Sequence, residues 1–240
     1  MGIKLKYSVV GFLMGVAELI PGVSGSTIAV IFGIYKNLMS ILSEIKPSNL
    51  SLSLKELGDK LQIFLAIPLL LSMTLSIALC AKVISYLIDS HAGIFFTILG
   101  WIMITLSFFV ADFFRPILRQ FSLIAFIILG ICFGAFINGL DISSVTPSSY
   151  YLFLSGILAF SFFLVPGISG SAMLVILGVY EVVVGGVSSF NFEILLPFAM
   201  GCLFSALLLP RLILKIYSSY ESQLTLTFSG LIFSSGYFLI

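Results

Sequence analysis

The chain has 240 residues, of which 60% are hydrophobic and 9% are charged, and its net charge is +1. A soluble domain carries about 25% charged residues, and the mean hydropathy here is +1.25. This composition excludes a soluble globular protein and indicates a polytopic membrane protein. It also argues against a nucleotide-driven pump, because there is no room for a soluble domain and no Gly-rich loop ends in Lys-Ser or Lys-Thr.

The hydrophobic pattern divides the chain into seven apolar units. They cover residues 7–42, 61–88, 94–111, 121–140, 151–189, 194–217 and 224–240. The first and fifth units contain a short polar interruption, whereas the others are continuous spans. The apolar run behind Lys4 and Lys6 leads into the first interruption without a small-x-small cleavage site, so we expect it to be retained rather than removed as a signal peptide.

The two interruptions are copies of one motif. Residues 21–35 read PGVSGSTIAVIFGIY, and residues 166–180 read PGISGSAMLVILGVY. At an offset of 145 residues, nine of the fifteen pairs are identical, and weaker matches continue downstream, such as Pro68 with Pro197 and Ser76 with Ser205. We therefore predict a single membrane domain over residues 1–240, with a first repeat (1–112), a connecting transmembrane helix (121–140) and a second repeat (151–240).

The distribution of positive charge predicts how a motif unit sits in the membrane. The unit is a re-entrant hairpin, a pair of full spans, or one broken helix that crosses once. If each unit returns to its starting side, ten cationic residues lie on the N-terminal side and only Lys82 on the other, as the positive-inside rule requires. A single crossing would divide them five against six. The ten are Lys4, Lys6, Lys36, Lys46, Lys55, Lys60, Arg115, Arg119, Arg211 and Lys215.

Three spans separate the motif units, so the second unit enters from the opposite face. The predicted fold is an all-α polytopic membrane protein with two inverted repeats. Each repeat is a re-entrant Pro-Gly-x-Ser-Gly helical hairpin plus two transmembrane helices, and an extra span joins the repeats. Both hairpin tips should approach the midplane, where transporters built from inverted repeats bind their substrate.

The tips carry the chemistry expected of an anion site. We call residues 21–27 the first tip and residues 166–172 the second tip. Proline and glycine end the first arm at Pro21-Gly22 and Pro166-Gly167. A serine then caps the second arm, whose first N–H groups and hydroxyls face an anion. The candidate phosphate ligands are Ser24, Gly25, Ser26, Thr27, Ser169, Gly170 and Ser171. The alternative is that the serines only cap and the glycines only allow close packing.

Three charged residues complete the candidate set. Glu18 lies in an apolar arm, and the residue that corresponds to it in the second repeat is Phe163. Glu18 either takes part in proton coupling or gating, or makes a structural hydrogen bond to the hairpin backbone. Glu181 is an outer-interface residue or, as the alternative, contacts the ligand in coupling or gating. Arg211 reaches the interface near a span end or docks a lipid phosphate.

An intramembrane hydrolase is the remote alternative, because Gly-x-Ser-Gly resembles the nucleophile site of rhomboid proteases. A serine nucleophile needs a base within hydrogen-bond reach, and the only histidine, His91, lies in a predicted polar turn. Cys80, Cys132 and Cys202 lie in apolar segments, unlike a metal-binding framework. We expect no catalytic residue, no metal and no cofactor.

The paired motifs, each followed by an apolar stretch that ends in Gly-x-Tyr, resemble the bacterial polyprenyl-phosphate transporter family over nearly the whole chain. That family usually has Gly where Ser26 stands, Asp at Glu18 and an acidic residue at Lys36. The resemblance implies a flippase of the bacterial cytoplasmic (inner) membrane. It would return undecaprenyl phosphate, the lipid carrier of cell-wall sugars, from the outer to the cytoplasmic leaflet.

The expected partners are therefore polyprenyl phosphate and membrane lipids, with protons or sodium as the coupling ion and no nucleic acid. The N-terminus should be cytoplasmic. A transporter of a small soluble anion, built on the same tips, stays open as the alternative function. A lipid-filled side opening would favour the lipid, and a closed aqueous vestibule would favour the small anion.

Overall fold

The computed structural model describes residues 2–46, 49, 53–111, 121–140 and 147–240. These residues form eleven α-helices, and within the same ranges there is no β-strand. The helices are α1 Ile3–Glu18, α2 Gly25–Ile31, α3 Tyr35–Ser43, α4 Leu54–Lys60, α5 Ile63–Val110, α6 Phe121–Asn138, α7 Ser149–Leu164, α8 Gly170–Ile176, α9 Tyr180–Ser188, α10 Phe192–Ser219 and α11 Glu221–Leu239. The prediction of an all-α protein is confirmed for this part of the chain. Arg115 and Arg119 lie outside the described residues.

Helices α1–α3 and α7–α9 have the same construction. Both sets contain helices of 16, 7 and 9 residues in that order. The first break in each set contains a glycine in the left-handed region, with φ +82° at Gly22 and +85° at Gly167. Such φ values are accessible to glycine without the steric cost that other residues meet. The repeat seen in the sequence therefore recurs in the backbone.

Helix α5 has 48 residues and would be about 72 Å long at about 1.5 Å per residue. A hydrocarbon core is about 30 Å thick. The helix is divided at His91, whose φ of −139° and ψ of 30° are not helical. We predicted two spans separated by a polar turn. The structure instead has a break of one residue, with α-helix directly before and after it.

Two helices, α5 and α10, are long and apolar enough to cross a membrane. The pair α8 and α9, whose axes differ by 113°, makes a third candidate if it forms one span. Residues Leu123–Asn138 and helix α7 are apolar but shorter. Helix α11, predicted as the closing span, is not among the candidates. The chain is a helical membrane protein, and the number of crossings stays a prediction.

Equivalent glycines join the motif units to the long helices. Gly11 of α1 lies against the carbonyl of Leu69 in α5, and Gly156 of α7 lies against the carbonyl of Phe198 in α10. A Cβ atom has no room at either glycine. The two contacts are related by the offsets of 145 and 129 residues that relate the repeats in the sequence. The sequence repeat is thus also a repeat of helix packing.

Further contacts give the relative directions of these helices. Gly15 contacts Met73 one turn beyond the Gly11 contact, so α1 runs parallel to the first half of α5. The hydroxyls of Ser161 and Ser205 lie 2.9 Å apart beyond the Gly156 contact, so α7 runs parallel to α10. Each motif unit therefore starts at the same end as the long helix against which it packs.

Helix α11 packs between α5 and α6. Its Gly236 contacts Gly100 in the second half of α5, and the Ser229 hydroxyl donates to the Ser107 carbonyl at 2.8 Å. Because Gly236 and Ser229 meet α5 in reverse order, these two segments are antiparallel. On its other side α11 meets α6 through the close approach of Gly230 to the α6 backbone. Close backbone contact of this kind is typical of helix packing in membranes.

Polar contacts gather several helix starts at one end of the bundle. The Asn37 amide donates to the Tyr7 hydroxyl at 2.7 Å and to Gln62 Oε1 at 3.3 Å. Lys36 Nζ lies 3.7 Å from a carboxylate oxygen of Glu221. The starts of α1, α3, α5 and α11 therefore lie together. They carry Lys4, Lys6 and Lys36, and Lys60 ends α4 shortly before α5 begins.

Candidate functional site

The two tips are in direct contact, although 145 residues separate them in the chain. The N–H of Gly167 donates to Thr27 Oγ1 at 2.8 Å. The Ser24 hydroxyl lies 3.4 Å from the carbonyl of Phe163, at the end of the helix that leads into the second tip. Ser24, Thr27 and Ser169 are at most 2% exposed. The fold thus brings the duplicated motif together into one buried polar cluster.

In the first tip, each of the first three N–H groups of α2 already has an acceptor. Ser24 Oγ accepts from the N–H of Ser26 at 3.3 Å, and the Ser24 carbonyl accepts from the N–H of Thr27 at 3.0 Å. Glu18 Oε1 accepts from the N–H of Gly25 at 2.6 Å. Our prediction that these N–H groups are free is wrong for the first tip, because the chain supplies its own carboxylate there.

Glu18 therefore makes the structural hydrogen bond that we gave as one of its two possible roles. A carboxylate at the N-terminus of a helix is stabilised by the helix dipole and by the exposed N–H groups. Gly25 allows this approach, because a Cβ there would lie 2.8 Å from Glu18 Oε1. A role of Glu18 in coupling or gating stays a prediction.

The second tip has the same backbone and a different set of hydrogen bonds. Its Ser169 hydroxyl pairs with the Ser171 hydroxyl at 2.7 Å and accepts no N–H from α8. The prediction that Ser169 caps this helix is wrong, although its hydroxyl pairs with Ser171 just as Ser24 pairs with Ser26 at 2.7 Å. Phe163 stands in the place of Glu18, and in the described part of the chain the N–H of Gly170 has no acceptor.

Exposure also differs between the tips. Ser26 is 4% exposed and therefore buried, whereas its counterpart Ser171 is exposed. The second tip therefore combines an amide at Gly170 that has no acceptor among the described residues with one exposed hydroxyl, that of Ser171, while Ser169 is buried. Amide and hydroxyl donors at a helix start favour an anion. The first tip is closed by comparison.

Neighbouring helices hold the tips in place. The Tyr35 hydroxyl donates to the carbonyl of Leu164 at 2.9 Å, and the Ser235 hydroxyl donates to the carbonyl of Gly22 at 2.6 Å. A Cβ on Gly167 would lie 2.6 Å from the backbone nitrogen of Ile232. We did not predict these positioning residues. Tyr35 could have been found, because it belongs to the repeated Gly-x-Tyr motif. Ser235 belongs to no motif in the sequence, so no local pattern predicts its role.

Two predicted site residues lie apart from the tips. Arg211 donates from Nε to the carbonyl of Ser43 and from Nη2 to the carbonyl of Ile45, both at 3.1 Å, so it binds the end of α3. Glu181 is exposed in the first turn of α9. Pro21 is exposed, whereas Pro166 is buried in the second tip.

The site shows neither a metal centre nor a nucleophile paired with a base. Among the described residues, no group of three or more His, Cys, Asp and Glu side chains is placed to hold a metal ion. The hydroxyls of Ser24 and Ser169 bond to other serines and to backbone groups within those ranges. Helix starts with amides and hydroxyls that meet at the contact of two repeats are the arrangement expected of a transporter.

The chain belongs to the undecaprenyl phosphate translocase-like family, whose sequence model matches residues 14–240. It is 32% identical over 223 residues to the polyprenyl-phosphate transporter of Vibrio cholerae serotype O1 (strain ATCC 39315 / El Tor Inaba N16961). That alignment covers 91% of this chain and 71% of the relative. No solved structure matches the chain significantly. The resemblance read from the paired motifs is confirmed, and the protein is a transporter and not an enzyme.

Proposed function

We propose that this protein is a flippase that moves polyprenyl phosphate, such as undecaprenyl phosphate, from the outer to the cytoplasmic leaflet of a bacterial cytoplasmic membrane. The phosphate is held at the two tips near the midplane. The polyprenyl chain stays in lipid through a lateral opening. Transport in this direction recycles a lipid carrier for cell-wall biogenesis.

One observation carries the proposal: the hydrogen bond of 2.8 Å from Gly167 to Thr27, which joins the two tips. An anion in an apolar medium needs donors that replace its hydration. Backbone amides and hydroxyls at paired helix starts supply such donors without a buried cation. The relative from Vibrio cholerae, named a polyprenyl-phosphate transporter, supports the same substrate.

The inverted arrangement of the repeats is part of the proposal. It is supported by the parallel packing of each motif unit on its long helix, by the antiparallel contact of α5 with α11, and by the bend of 113° after the second tip. Re-entrant hairpins with the N-terminus in the cytoplasm are favoured by the positive charges that gather at one end. In transporters of inverted-repeat design, access then alternates around a fixed central site.

The two tips differ in what they offer the phosphate. Ser169, Gly170 and Ser171 form the part that receives it, because their donors are not engaged by a carboxylate. Ser24, Gly25, Ser26 and Thr27 join when Glu18 leaves the Gly25 amide, on binding a proton or sodium ion. Arg211 helps to recruit or release the head group, and Glu181 faces the opposite surface.

The test is the movement of polyprenyl phosphate between leaflets of proteoliposomes. We expect wild-type protein to move the lipid and the double variant Ser24→Ala, Ser169→Ala to move it at least about tenfold more slowly, as the loss of two hydroxyl contacts of about 1 kcal/mol each implies. The matched control is Ser85→Ala, Ser188→Ala, which removes two exposed hydroxyls outside the tips.

Equal rates for wild type and the tip variant would remove the phosphate role from the tips. Movement of inorganic phosphate by the wild type, without movement of the lipid, would instead establish the small soluble anion as substrate. If the control variant moved the lipid as slowly as the tip variant does, that result would also reject the site.

A further inference from the structure

An open polar cavity lies towards the end of α10, apart from the tips. Its volume is about 520 Å³. Three cationic residues line it, namely Lys46, Arg211 and Lys215, together with Glu44 and the serines Ser43 and Ser218. Arg211 connects α10 to the end of α3 across this cavity. The cavity is therefore built from both repeats.

Most of the positive charge in this cavity has no internal counter-charge. The Glu44 carboxylate accepts from the Asn49 amide at 2.9 Å and lies 3.4 Å from Lys46 Nζ. These two neighbours, the Asn49 hydrogen bond first, hold the pKa of Glu44 below its usual range, so it stays ionised and pairs with Lys46. Arg211 binds only neutral carbonyl groups, and Lys215 has no ion pair in the described part of the chain.

An apolar cavity of about 280 Å³ adjoins the cationic one. Glu44 and Lys46 line both, so the two cavities share a wall. The remaining lining is largely aliphatic, with Ile45, Leu57, Leu61 and Leu207. Charge on one side and aliphatic surface on the other match an amphiphile with an anionic head. The small apolar volume suits one hydrocarbon chain rather than the two chains of a phospholipid.

We propose that the two cavities form a docking site for the lipid phosphate, separate from the tips. Arg211 and Lys215 bind the phosphate, with Lys46 at the shared wall, and the first part of the polyprenyl chain lies against Leu57, Leu61 and Leu207. The identity of the lipid rests on the proposed function. The requirement for a single-chain anionic amphiphile follows from the cavities themselves. This site holds the substrate before or after its passage through the tips.

The test is photolabelling of the purified full chain in lipid nanodiscs by a photoreactive polyprenyl phosphate, followed by mass spectrometry of the labelled peptides. We expect label in peptides from residues 41–46, 57–61 and 207–218. Lys215→Gln should lower this labelling about fivefold, because one cation beside an anionic lipid contributes about 1 kcal/mol. Lys55→Gln is the matched control, since Lys55 is exposed on α4 and lines neither cavity.

The head and tail contributions are separated by competitors. A polyprenol without phosphate and free inorganic phosphate should each fail to displace the label, whereas unlabelled polyprenyl phosphate should displace it. Equal labelling of Lys215→Gln and Lys55→Gln would overturn the site. Displacement by phosphatidylglycerol as effective as that by polyprenyl phosphate would overturn the assignment to the single-chain lipid.

The outcome is independent of the liposome assay. Labelling that depends on Lys215, in a protein that moves no lipid, would retain the docking site and reject the proposed function. Transport that depends on Ser24 and Ser169, without labelling at these cavities, would retain the proposed function and reject the docking site.

Discussion

Glu18 and Phe163 occupy the same place in the two motif units, and this pair makes the tips unequal. Glu18 accepts from the Gly25 amide at 2.6 Å. Phe163 offers no acceptor to Gly170, whose Cβ position would lie 3.1 Å from Phe163 Cβ. One tip therefore contains its own anion, whereas in the other the Gly170 amide has no acceptor among the described residues.

The Glu18 contact predicts a split between two substitutions. Glu18→Ala leaves the buried Gly25 amide without its acceptor and should lower the free energy of unfolding by about 1–3 kcal/mol. Glu18→Gln retains an oxygen acceptor and should stay within about 1 kcal/mol of wild type while it removes the charge. Thermal unfolding in detergent measures both. If Glu18 also couples transport to an ion, Glu18→Gln will slow transport far more than it lowers stability, and similar stability of Glu18→Ala and wild type would contradict the structural role.

The sequence marked Glu18 as a costly carboxylate but did not identify its partner. The partner lies seven residues later, across a turn whose course depends on the left-handed backbone at Gly22. A pattern of residue types predicts that a helix ends at a given position, but it does not predict the direction of the chain after that point. For the same reason the free amides were predicted at both tips, whereas the structure has them only at the second.

Gly167 permits a second test at this scale. Its φ of +85° disfavours any other residue, and a Cβ would meet the backbone of Ile232 at 2.6 Å. Gly33→Ala introduces a comparable backbone strain, at φ +66°, in open space. We expect Gly33→Ala to cost about 1–2 kcal/mol and Gly167→Ala to cost clearly more, measured by thermal unfolding. Equal effects would show that the contact with α11 does not constrain the second tip.

At the scale of helices, α1 packs on α5 in the same way as α7 packs on α10. These equivalent contacts give the two halves the same helix packing. Gly11 and Gly156 were not singled out from the sequence, because the motif copies begin ten residues later in each half. Hydropathy predicted apolar segments 61–88, 194–217 and 224–240, which overlap α5, α10 and α11. The single break at His91 was not predicted, since a polar stretch in the sequence indicates a loop and a kinked helix equally well.

Gly156→Val should separate α7 from α10. Its new side chain would meet the Phe198 carbonyl, which cannot retreat because it is part of a helix. We expect a loss of stability of about 2 kcal/mol or more, within the range for overpacked cores. Gly185→Val is the control, because nothing lies within 4 Å of a Cβ at Gly185. Equal melting temperatures for the two variants would contradict the packing.

Arg211 joins α10 to the end of α3 and so links the first motif unit to the second repeat. Arg211→Ala removes both hydrogen bonds to the Ser43 and Ile45 carbonyls, and amide hydrogen exchange over residues 39–46 should become faster. Lys4→Ala, at the far end of the first motif unit, should leave this exchange unchanged. Unaltered exchange in Arg211→Ala would mean that the end of α3 is held by other contacts.

For the whole molecule, the contacts of Asn37 and of Lys36 with Glu221 gather the helix starts, and with them much of the positive charge, at one end. We expect this end to be cytoplasmic. In a variant without Cys80, Cys132 and Cys202, a cysteine at Lys55 should react with a membrane-impermeant thiol reagent only after the cells are opened. A cysteine at His91 should react in intact cells. The opposite pattern would invert the topology and the proposed direction of access.

The difference between the tips also affects how many lipid molecules the protein transports in one cycle. A binding centre assembled from two matching halves would ordinarily hold two anions or share one between them. Here the Glu18 carboxylate already fills one half from within the protein. When Glu18 is released, the first half joins the second around the same phosphate, so each turnover should carry a single head group, and a titration at the tips should reach saturation at one lipid per chain.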